Sequence, residues 1–325
     1  EEGLEIPHLC FNANYRPDGN CRSCLVEIEG EKTLAPSCCR KPEKGMKVYT
    51  HSQRAESSRK MILEMLNSDT EERQASKKIN ELKEWSHKLR IGQVRMPKNI
   101  DQRIDNTNPA IAVNYEECIK CTRCIRACRE AQANDVIGFA FRGKESRIVF
   151  DIGDDMGSST CVSCGECVQA CPTNALISKT ELHENKKEVK KTNSVCPYCG
   201  VGCLLTFNTS NNKIFSVTGR DGPSNKSRLC VKGRYGFDYI HHKDRLTLPL
   251  IRKPNAVKTK EIMSPENINE SFRTATWDEA LELTAKNLKE IYLKYGSKAL
   301  AGLGCAKGSN EEAYLFQKLI RTAFK

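Results

Sequence analysis

The sequence predicts an α+β chain made of several domains, and three observations lead to that prediction. The chain has 325 residues, which is more than one compact domain usually holds. Seventeen of its 18 cysteines fall in four groups that are separated by cysteine-free stretches. Between and after these groups, short strand-like runs and amphipathic helical patterns both occur, so each domain is expected to combine helices with strands.

The cysteine usage indicates metal-binding thiols rather than disulfides. Disulfide-stapled domains are usually short and secreted, whereas this chain is long and 29% charged. It shows no hydrophobic leader and no apolar run of membrane-spanning length, so no membrane segment and a cytoplasmic location are expected. The cysteines also sit in tight C-x2-C pairs, whose neighbouring thiols cannot easily reach distant partners. We therefore expect reduced thiols that bind metal.

The formal net charge of +11 is of the kind found in nucleic-acid-binding proteins, but the cysteines explain most of it. Sixteen thiolates would add negative charge, and oxidised iron–sulfur cores would offset part of that charge. The loaded chain would then carry about +3, given clusters of the usual types. The excess of lysine and arginine thus balances the chain's own cofactors, and no nucleic-acid partner is expected.

The first cysteine group lies in "PHLCFNANYRPDGNCRSCLVEIEGEKTLAPSCCR". Turn-forming residues precede its C-x2-C pair, and the alternating run "LVEIEG" after the pair predicts a strand. A loop that wraps a small cluster and leads into a strand suits a [2Fe–2S] cluster, although four thiolates also suit zinc. Cys39 is expected to be a spare thiol, because one cluster has no fifth position. The expected ligands, here named the two-iron site, are Cys10, Cys21, Cys24 and Cys38.

Residues 52–108 contain no cysteine and predict two amphipathic helices, in "RAESSRKMILEMLNSD" and "TEERQASKKINELKEWSHKLR". His87 is the one histidine in this stretch and has no cysteine near it, so no cluster is expected here. The run "MPKNIDQRIDNTNP" then predicts a linker. The expected buried stripe of the two helices is Met61, Leu63, Leu66, Ile79, Leu82, Trp85 and Leu89.

An internal repeat follows, with C-x2-C-x2-C-x3-C spacing in both "CIKCTRCIRAC" and "CVSCGECVQACP". This spacing is typical of bacterial ferredoxins with two [4Fe–4S] clusters, in which the fourth cysteine of each run binds the other cluster. Zinc is the alternative metal. The first four-iron site is expected to consist of Cys118, Cys121, Cys124 and Cys171. The second four-iron site is expected to consist of Cys161, Cys164, Cys167 and Cys128.

The charges within the two runs predict different reduction potentials for these sites. Lys120 and Arg123 lie between ligands of the first site, whereas Glu166 lies between ligands of the second. Nearby cations stabilise a reduced cluster, so the first site is expected to have the higher potential. Arg126 and Arg129 flank the cysteine that crosses to the second site, and we expect them to cancel part of the difference.

The last cysteine group, "CPYCGVGC" followed by "LCVKGR", predicts a third four-iron site. Gly200 and Gly202 would let the backbone approach its cluster closely. The segment resembles the cluster domain of molybdenum or tungsten bis-pterin enzymes, and formate dehydrogenase large subunits most of all. The resemblance implies that Lys232 lies between cluster and pterin and relays electrons; without it, Lys232 would be a surface lysine. The expected ligands of the third site are Cys196, Cys199, Cys203 and Cys230.

The C-terminal part of the chain predicts an α/β arrangement. Two helices are indicated by capping boxes, one from Thr276 to Glu279 and one from Ser309 to Glu312, and "SKALAGLG" between them predicts a short strand. The resemblance implies that a pterin-binding domain begins here. Cys305 lies in the loop between strand and helix and is not expected to be a nucleophile.

The resemblance extends over the whole chain, and the front also resembles the ferredoxin-like domain that begins complex I's large iron–sulfur subunit and iron-only hydrogenases. A chain that starts without methionine and stops within a helical pattern is expected to be a fragment of a longer polypeptide. The implied domains are a partial β-grasp [2Fe–2S] ferredoxin-like domain (1–68), a helical linker (69–108), a two-[4Fe–4S] ferredoxin-like domain (109–182), a charged linker (183–192), the [4Fe–4S] domain of molybdopterin oxidoreductases (193–250) and the start of an α/β molybdopterin-binding domain (251–325).

The resemblance implies the front part of a formate dehydrogenase catalytic subunit, which converts formate to CO2. Its cofactors would be one [2Fe–2S] cluster, three [4Fe–4S] clusters and, in the full-length protein, molybdenum or tungsten held by bis(molybdopterin guanine dinucleotide). A flavin- and NAD-binding iron–sulfur subunit would be the partner, and no residue of this chain would touch formate. The alternatives are another enzyme on the same frame, such as a nitrate reductase, complex I's large subunit or an iron-only hydrogenase, and a non-catalytic ferredoxin-like electron carrier.

Overall fold

The fold was analysed in a computed structural model, which describes residues 4–70, 80–98, 100–182, 188–258 and 264–324. The chain divides into two compact units. The first comprises Glu1–Ser194 and Cys203–Tyr235, and the second comprises Val195–Gly202 and Gly236–Lys325. Helices and strands occur in both units, which confirms the predicted α+β class. Among the described helices, none combines the length and the apolarity that crossing a membrane requires.

The first unit begins with a small antiparallel sheet covered by a helix. The predicted strand β1 is its central strand, and Val26 and Ile28 point into the core. Arg59 of the helix is 3% exposed and donates to the Leu25 carbonyl at 2.9 Å and to the Thr50 carbonyl, which fastens the helix to the sheet. The elements are β1 (Leu25–Ile28), β2 (Ala35–Pro36), β3 (Val48–Tyr49) and α1 (Gln53–Ser68).

Both helices predicted for the cysteine-free stretch are present, as α1 and α2 (Glu81–Lys88). Leu63 and Leu82 are fully buried in one core, and the other predicted stripe residues Leu66, Trp85 and Leu89 pack against that core. Met61 is 51% exposed, so its predicted burial is wrong. Residues two positions apart lie on nearly opposite faces of a helix, and Leu63 takes the inner face. Ile79 lies outside the described residues.

The two-cluster region contains a three-stranded sheet, a hairpin and three short helices. Strand β5 lies between β4 and β8, and β6 pairs with β7, all antiparallel. Their core contains Phe150 and Leu176 together with four of the repeat cysteines. The elements are β4 (Ile104–Asp105), β5 (Ile111–Asn114), α3 (Arg123–Arg126) with a π-helical turn at Ala127–Ala131, β6 (Ile137–Ala140), β7 (Arg147–Phe150), α4 (Glu166–Ala170), β8 (Leu176–Ser178) and α5 (Lys179–Leu182).

Strand β4 lies inside the run that the sequence predicts to be a linker, and that prediction is wrong at this point. The Asp105 side chain is buried and accepts hydrogen bonds from the backbone N–H groups of Thr107 (2.9 Å) and Met156 (2.6 Å). A buried carboxylate requires hydrogen-bond donors. Here the backbone N–H groups of neighbouring loops supply them. The polar composition of this run therefore reflects a hydrogen-bonded turn as well as solvent exposure.

A second three-stranded sheet follows, with the order β11-β10-β9. Of the predicted charged linker, residues 183–187 lie outside the described residues, and Lys190–Thr192 begin strand β9 instead. Their side chains are exposed, as predicted. An edge strand is held by backbone hydrogen bonds, so a charged sequence can form one. The elements are β9 (Lys190–Val195), β10 (Leu204–Ser210), β11 (Lys213–Gly219) and α6 (Val231–Tyr235).

The second unit contains a two-stranded sheet and the two predicted capped helices. Thr276 and Ser309 accept hydrogen bonds from the backbone N–H groups of Glu279 and Glu312, both at 3.2 Å. The predicted strand in "SKALAGLG" is wrong, because Ser297–Ala299 forms a 3-10 turn and no described strand pairs with the residues after it. The elements are β12 (Leu250–Arg252), α7 (Ile268–Ser271), β13 (Phe272–Thr274), α8 (Trp277–Tyr295) and α9 (Asn310–Ala323).

Candidate iron–sulfur sites

The four cysteines of the two-iron site lie together at the front of the first unit. Cys10, Cys21 and Cys24 are buried, and Cys38 is half-buried. The backbone N–H of Cys10 donates to Cys21 Sγ at 3.3 Å, and the Ser23 hydroxyl lies 3.1 Å from the same sulfur. Hydrogen bonds from Cys10 and from Ser23 lower the pKa of Cys21. They thereby favour the thiolate, which is the form that binds metal.

The remaining thiols of this site are held close to one another. The hydrogen bond to Cys21 and burial raise the pKa of Cys10, while burial and the electrostatic interaction with Cys24 raise the pKa of Cys38. Four thiolates this close repel one another, so the donor set suits a positively charged core. Cys39 is exposed, and its sulfur lies 3.6 Å from that of Cys38.

The first four-iron site brings together cysteines from both runs of the repeat. Burial raises the pKa of Cys118 to about 11 and raises the pKa of Cys121 and Cys124 further, and the charge of Cys171 adds to all three effects. The same four side chains line one small, largely apolar cavity. The crossing cysteine that the repeat predicts therefore lies beside the other three.

The second four-iron site mirrors the first. Burial raises the pKa of Cys161, Cys164 and Cys167, and the charge of Cys128 contributes to each shift. Cys167 also interacts with Cys171, a member of the first site, so the two sites adjoin. Buried thiols in two interleaved sets of four suit two cationic [4Fe–4S] cores.

Two cysteines of the third site, Cys203 and Cys230, belong to the first unit and line one cavity there. The buried Asn225 side chain organises this part of the site. Its amide accepts from the N–H of Leu204 at 3.0 Å, and donates to the carbonyls of Leu204 and Arg228, both at 3.0 Å. It thereby connects Leu204, which follows Cys203, to Arg228, which lies two residues before Cys230. The sequence showed Asn225 only as part of the turn-rich run "DGPSNKS".

The other two cysteines, Cys196 and Cys199, belong to the second unit, where Cys196 is buried and Cys199 exposed. Between them, the Tyr198 hydroxyl donates to a backbone carbonyl of the same unit. Gly202 has a φ of +69°, which favours glycine, whereas no described protein atom crowds Gly202 or Gly200. If the backbone at these two glycines closely approaches another group, as predicted, that group would be a cluster rather than a protein atom.

Lys232 is exposed on α6, in the first unit, two residues after Cys230. Its predicted role as an electron relay stays a prediction. The neighbouring Arg234, which the sequence analysis missed, is buried. Its guanidinium donates from Nε to the Cys164 carbonyl at 2.8 Å and forms an ion pair with Glu166 at 3.0 Å. The segment after the last cysteine of the third site is therefore anchored to the ligand loop of the second.

Comparison with known families identifies the parts of the chain. Residues 1–53 match the 2Fe-2S iron-sulfur cluster binding domain, and residues 117–175 match the 4Fe-4S dicluster domain. Residues 189–242 match the molybdopterin oxidoreductase Fe4S4 domain, and residues 245–325 match molybdopterin oxidoreductase. Two of these four matches are to domains of molybdopterin oxidoreductases. The matches include both [2Fe–2S] and [4Fe–4S] domains, which favours iron over zinc in the thiol sites.

Individual relatives agree with these matches. A protein of Staphylococcus haemolyticus that is provisionally named a formate dehydrogenase is 28% identical over 98% of the chain, and a counterpart in Staphylococcus aureus is 29% identical over 97%. The chain spans 35% of the length of each. A chain of an NAD+-reducing [NiFe]-hydrogenase has a similar structure, with a TM-score of 0.52 and 25% identity, covering 56% of this chain and 79% of that one.

Proposed function

We propose that this chain is the electron-transfer part of the catalytic subunit of a molybdenum- or tungsten-dependent formate dehydrogenase. The observation that carries the proposal is the combination of four sequence groups of free cysteines with the beginning of a molybdopterin domain in one polypeptide. Formate is supported as the substrate by the provisional names of the relatives. The molybdopterin would be the bis(guanine dinucleotide) form.

The sixteen cysteines named above would hold one [2Fe–2S] and three [4Fe–4S] clusters, as the sequence spacing predicts. When bound, such clusters take up and release single electrons at potentials that burial and hydrogen bonds to sulfur adjust. The protein contributes the thiolates and keeps the sites dry. In the first two four-iron sites, four of the eight ligands lie in one apolar core with Phe150 and Leu176.

Within the first unit, the sites follow one another in a fixed order. Cys10 and Cys21 share a core with Ile119 and Cys121, so the two-iron site adjoins the first four-iron site. The first four-iron site adjoins the second, as the interaction between Cys167 and Cys171 indicates. Arg234 then joins the second site to the chain after Cys230. This order supports a relay from the third site through the second and first sites to the two-iron site.

The two-iron site is the expected exit for electrons. Cys38 is half-buried and is followed by the exposed Cys39, so this edge of the site lies near the surface. We propose that a flavin- and NAD-binding iron–sulfur subunit accepts electrons there. The similarity to a chain of an NAD+-reducing hydrogenase supports a partner of this kind.

The experiment uses the full-length protein with its partner subunit, purified without oxygen. We expect formate to drive reduction of both NAD+ and a viologen dye. In Cys24→Ser, which removes a two-iron ligand, NAD+ reduction should be lost while dye reduction by the upstream sites persists. Cys39→Ser is the matched control and should retain both activities. Loaded parent protein that reduces neither acceptor with formate would refute the proposal.

A further inference from the structure

Arg126 is a buried cation that lies between the two-iron site and the first four-iron site. Its side chain is 4% exposed. Nη2 donates to the carbonyl of Cys10 at 2.6 Å and reaches the carbonyl of Cys121 at 3.3 Å. Nη1 donates to the Arg16 carbonyl at 2.6 Å. One guanidinium thus bonds to the backbone of an expected ligand from each of two neighbouring sites.

Arg126 forms hydrogen bonds to the loop between Cys10 and Cys21. Asp18 in this loop accepts from the Thr122 hydroxyl at 2.7 Å and lies 3.5 Å from Nε of Arg126. The backbone N–H of Arg16 donates to Glu130 at 3.0 Å. The ten residues that separate the first two cysteines therefore dock the [2Fe–2S] domain onto the two-cluster domain, with Arg126 at the centre of the contact.

Two other charged residues of the cysteine runs, Arg123 and Glu166, have close ion-pair partners. Arg123 is buried but pairs with Glu81 at 2.7 Å, and Glu166 is buried but pairs with Arg234 at 3.0 Å. Each of these pairs is locally neutral, so the predicted contrast between Arg123 and Glu166 is weakened. Arg126 differs in degree, because both of its Nη atoms donate to neutral carbonyls and only its Nε faces a carboxylate, that of Asp18 at 3.5 Å, whereas Arg123 donates directly to Glu81 at 2.7 Å.

The guanidinium of Arg126 lies beside different cluster sites from the one that the sequence indicates. Adjacency to Cys128 suggests an effect on the second four-iron site, but the guanidinium extends to Cys10 and Cys121 instead. Arg129, three residues later, is 57% exposed and pairs with Asp135. The cancellation expected from Arg126 stays a prediction, and the position of its guanidinium favours an effect on the first four-iron site instead.

We propose that Arg126 couples the two-iron site to the first four-iron site, as a positioning residue that also raises the reduction potential of both. This inference rests on the proposed function, since it assumes loaded clusters. Adding an electron to either cluster adds negative charge beside a buried cation, which stabilises the reduced state. The same side chain holds the carbonyls of Cys10 and Cys121 on one planar group, and so fixes the separation of the two ligand loops.

The test compares Arg126→Gln with Arg129→Gln in the loaded chain, by potentiometric EPR of each cluster signal. Both variants remove one positive charge from the same segment, but only Arg126 is buried. We expect the one-electron reduction constants of the two-iron and first four-iron sites to fall about tenfold in Arg126→Gln, which corresponds to about 59 mV for one electron. In Arg129→Gln both midpoints should stay within about a twofold change, because exposed charges are screened.

Equal shifts in the two variants, or no shift in Arg126→Gln with its clusters intact, would overturn the inference. If Arg126→Gln loses a cluster signal, Arg126→Lys decides. Both signals with parental midpoints in the lysine variant would support the role of the charge, and their loss there would overturn it. Iron and sulfide analysis of the parent chain separates the two proposals: a parent without iron refutes the proposed function, whereas a loaded parent indifferent to Arg126 refutes only this inference.

Discussion

Gly165 and Arg234 are packed so closely that a methyl group on Gly165 would lie 2.2 Å from Cδ of Arg234. Gly165 also has a φ of +73°, in the left-handed region that favours glycine. Arg234 cannot retreat easily, because it is held by the Cys164 carbonyl, Gln169 and Glu166. The ligand loop of the second four-iron site and helix α6 therefore require glycine at this position.

We predict that Gly165→Ala destabilises the first unit by about 3 kcal/mol, from backbone strain and overpacking together. The EPR signal of the second four-iron site should weaken or disappear, while that of the two-iron site persists. Gly143→Ala is the matched control, since Gly143 has a φ of +59° with no described atom within 4 Å of the added carbon. It should cost about 1 kcal/mol from strain alone. Equal effects of the two variants would show that Arg234 does not crowd this position.

The Glu166–Arg234 ion pair should contribute strongly to the stability of the holo chain. Both side chains are 4% exposed, so Arg234→Met would leave the Glu166 carboxylate buried with Tyr15 as its remaining donor. We expect a loss of about 4 kcal/mol, measured by anaerobic denaturant unfolding. The double variant Arg234→Met/Glu166→Leu should recover most of that loss, because no unpaired charge remains.

The control for this pair is the exposed pair of Arg273 and Glu279, whose side chains are 46% and 43% exposed. Arg273→Met should change the free energy of unfolding by less than about 1 kcal/mol. A similarly small change in Arg234→Met would mean that the buried pair is not important for stability.

Anaerobic reconstitution of this chain alone should give about fourteen irons, from one two-iron and three four-iron clusters. The reconstituted chain should not reduce a dye with formate, because the resemblance implies that the metal-site residues belong to other parts of the full-length protein. Metal and sulfide analysis, with a dye assay, checks both points. Stoichiometric zinc with little iron, or formate-dependent dye reduction, would contradict the prediction.

In the full-length enzyme, Lys232→Ala should slow electron transfer away from the pterin while the third four-iron cluster remains assembled. Its exposed position on α6 makes a folding defect unexpected. Single-turnover kinetics with formate, read out as cluster reduction, measure this step. Lys213→Ala is a suitable control, since Lys213 is also exposed in the first unit but does not line the cavity that contains Cys203 and Cys230. Unchanged kinetics in Lys232→Ala, with intact cluster signals, would leave Lys232 as a surface lysine.

The sequence by itself determined the cysteine groups, and it predicted the kind of cluster site that each group forms and the order of the domains. These features are local: a C-x2-C-x2-C-x3-C run specifies a loop that wraps a cluster whatever surrounds it. The crossing of Cys128 and Cys171 was predictable for the same reason, because the repeat makes the two sites interleave. The capped helices α8 and α9 were predictable from residues within their first turns.

The tertiary structure decided which charges are neutralised, which loops touch and where strands form. Arg126 donates to a carbonyl 116 residues away, and Arg234 donates to one 70 residues away. Periodicity and spacing report which residues are neighbours within one element, but not which distant backbone groups a long side chain will reach. The prediction of a strand in "SKALAGLG" was wrong for a related reason. A strand forms only where another segment supplies its hydrogen bonds. That partner is specified by the fold rather than by the residues of the strand itself.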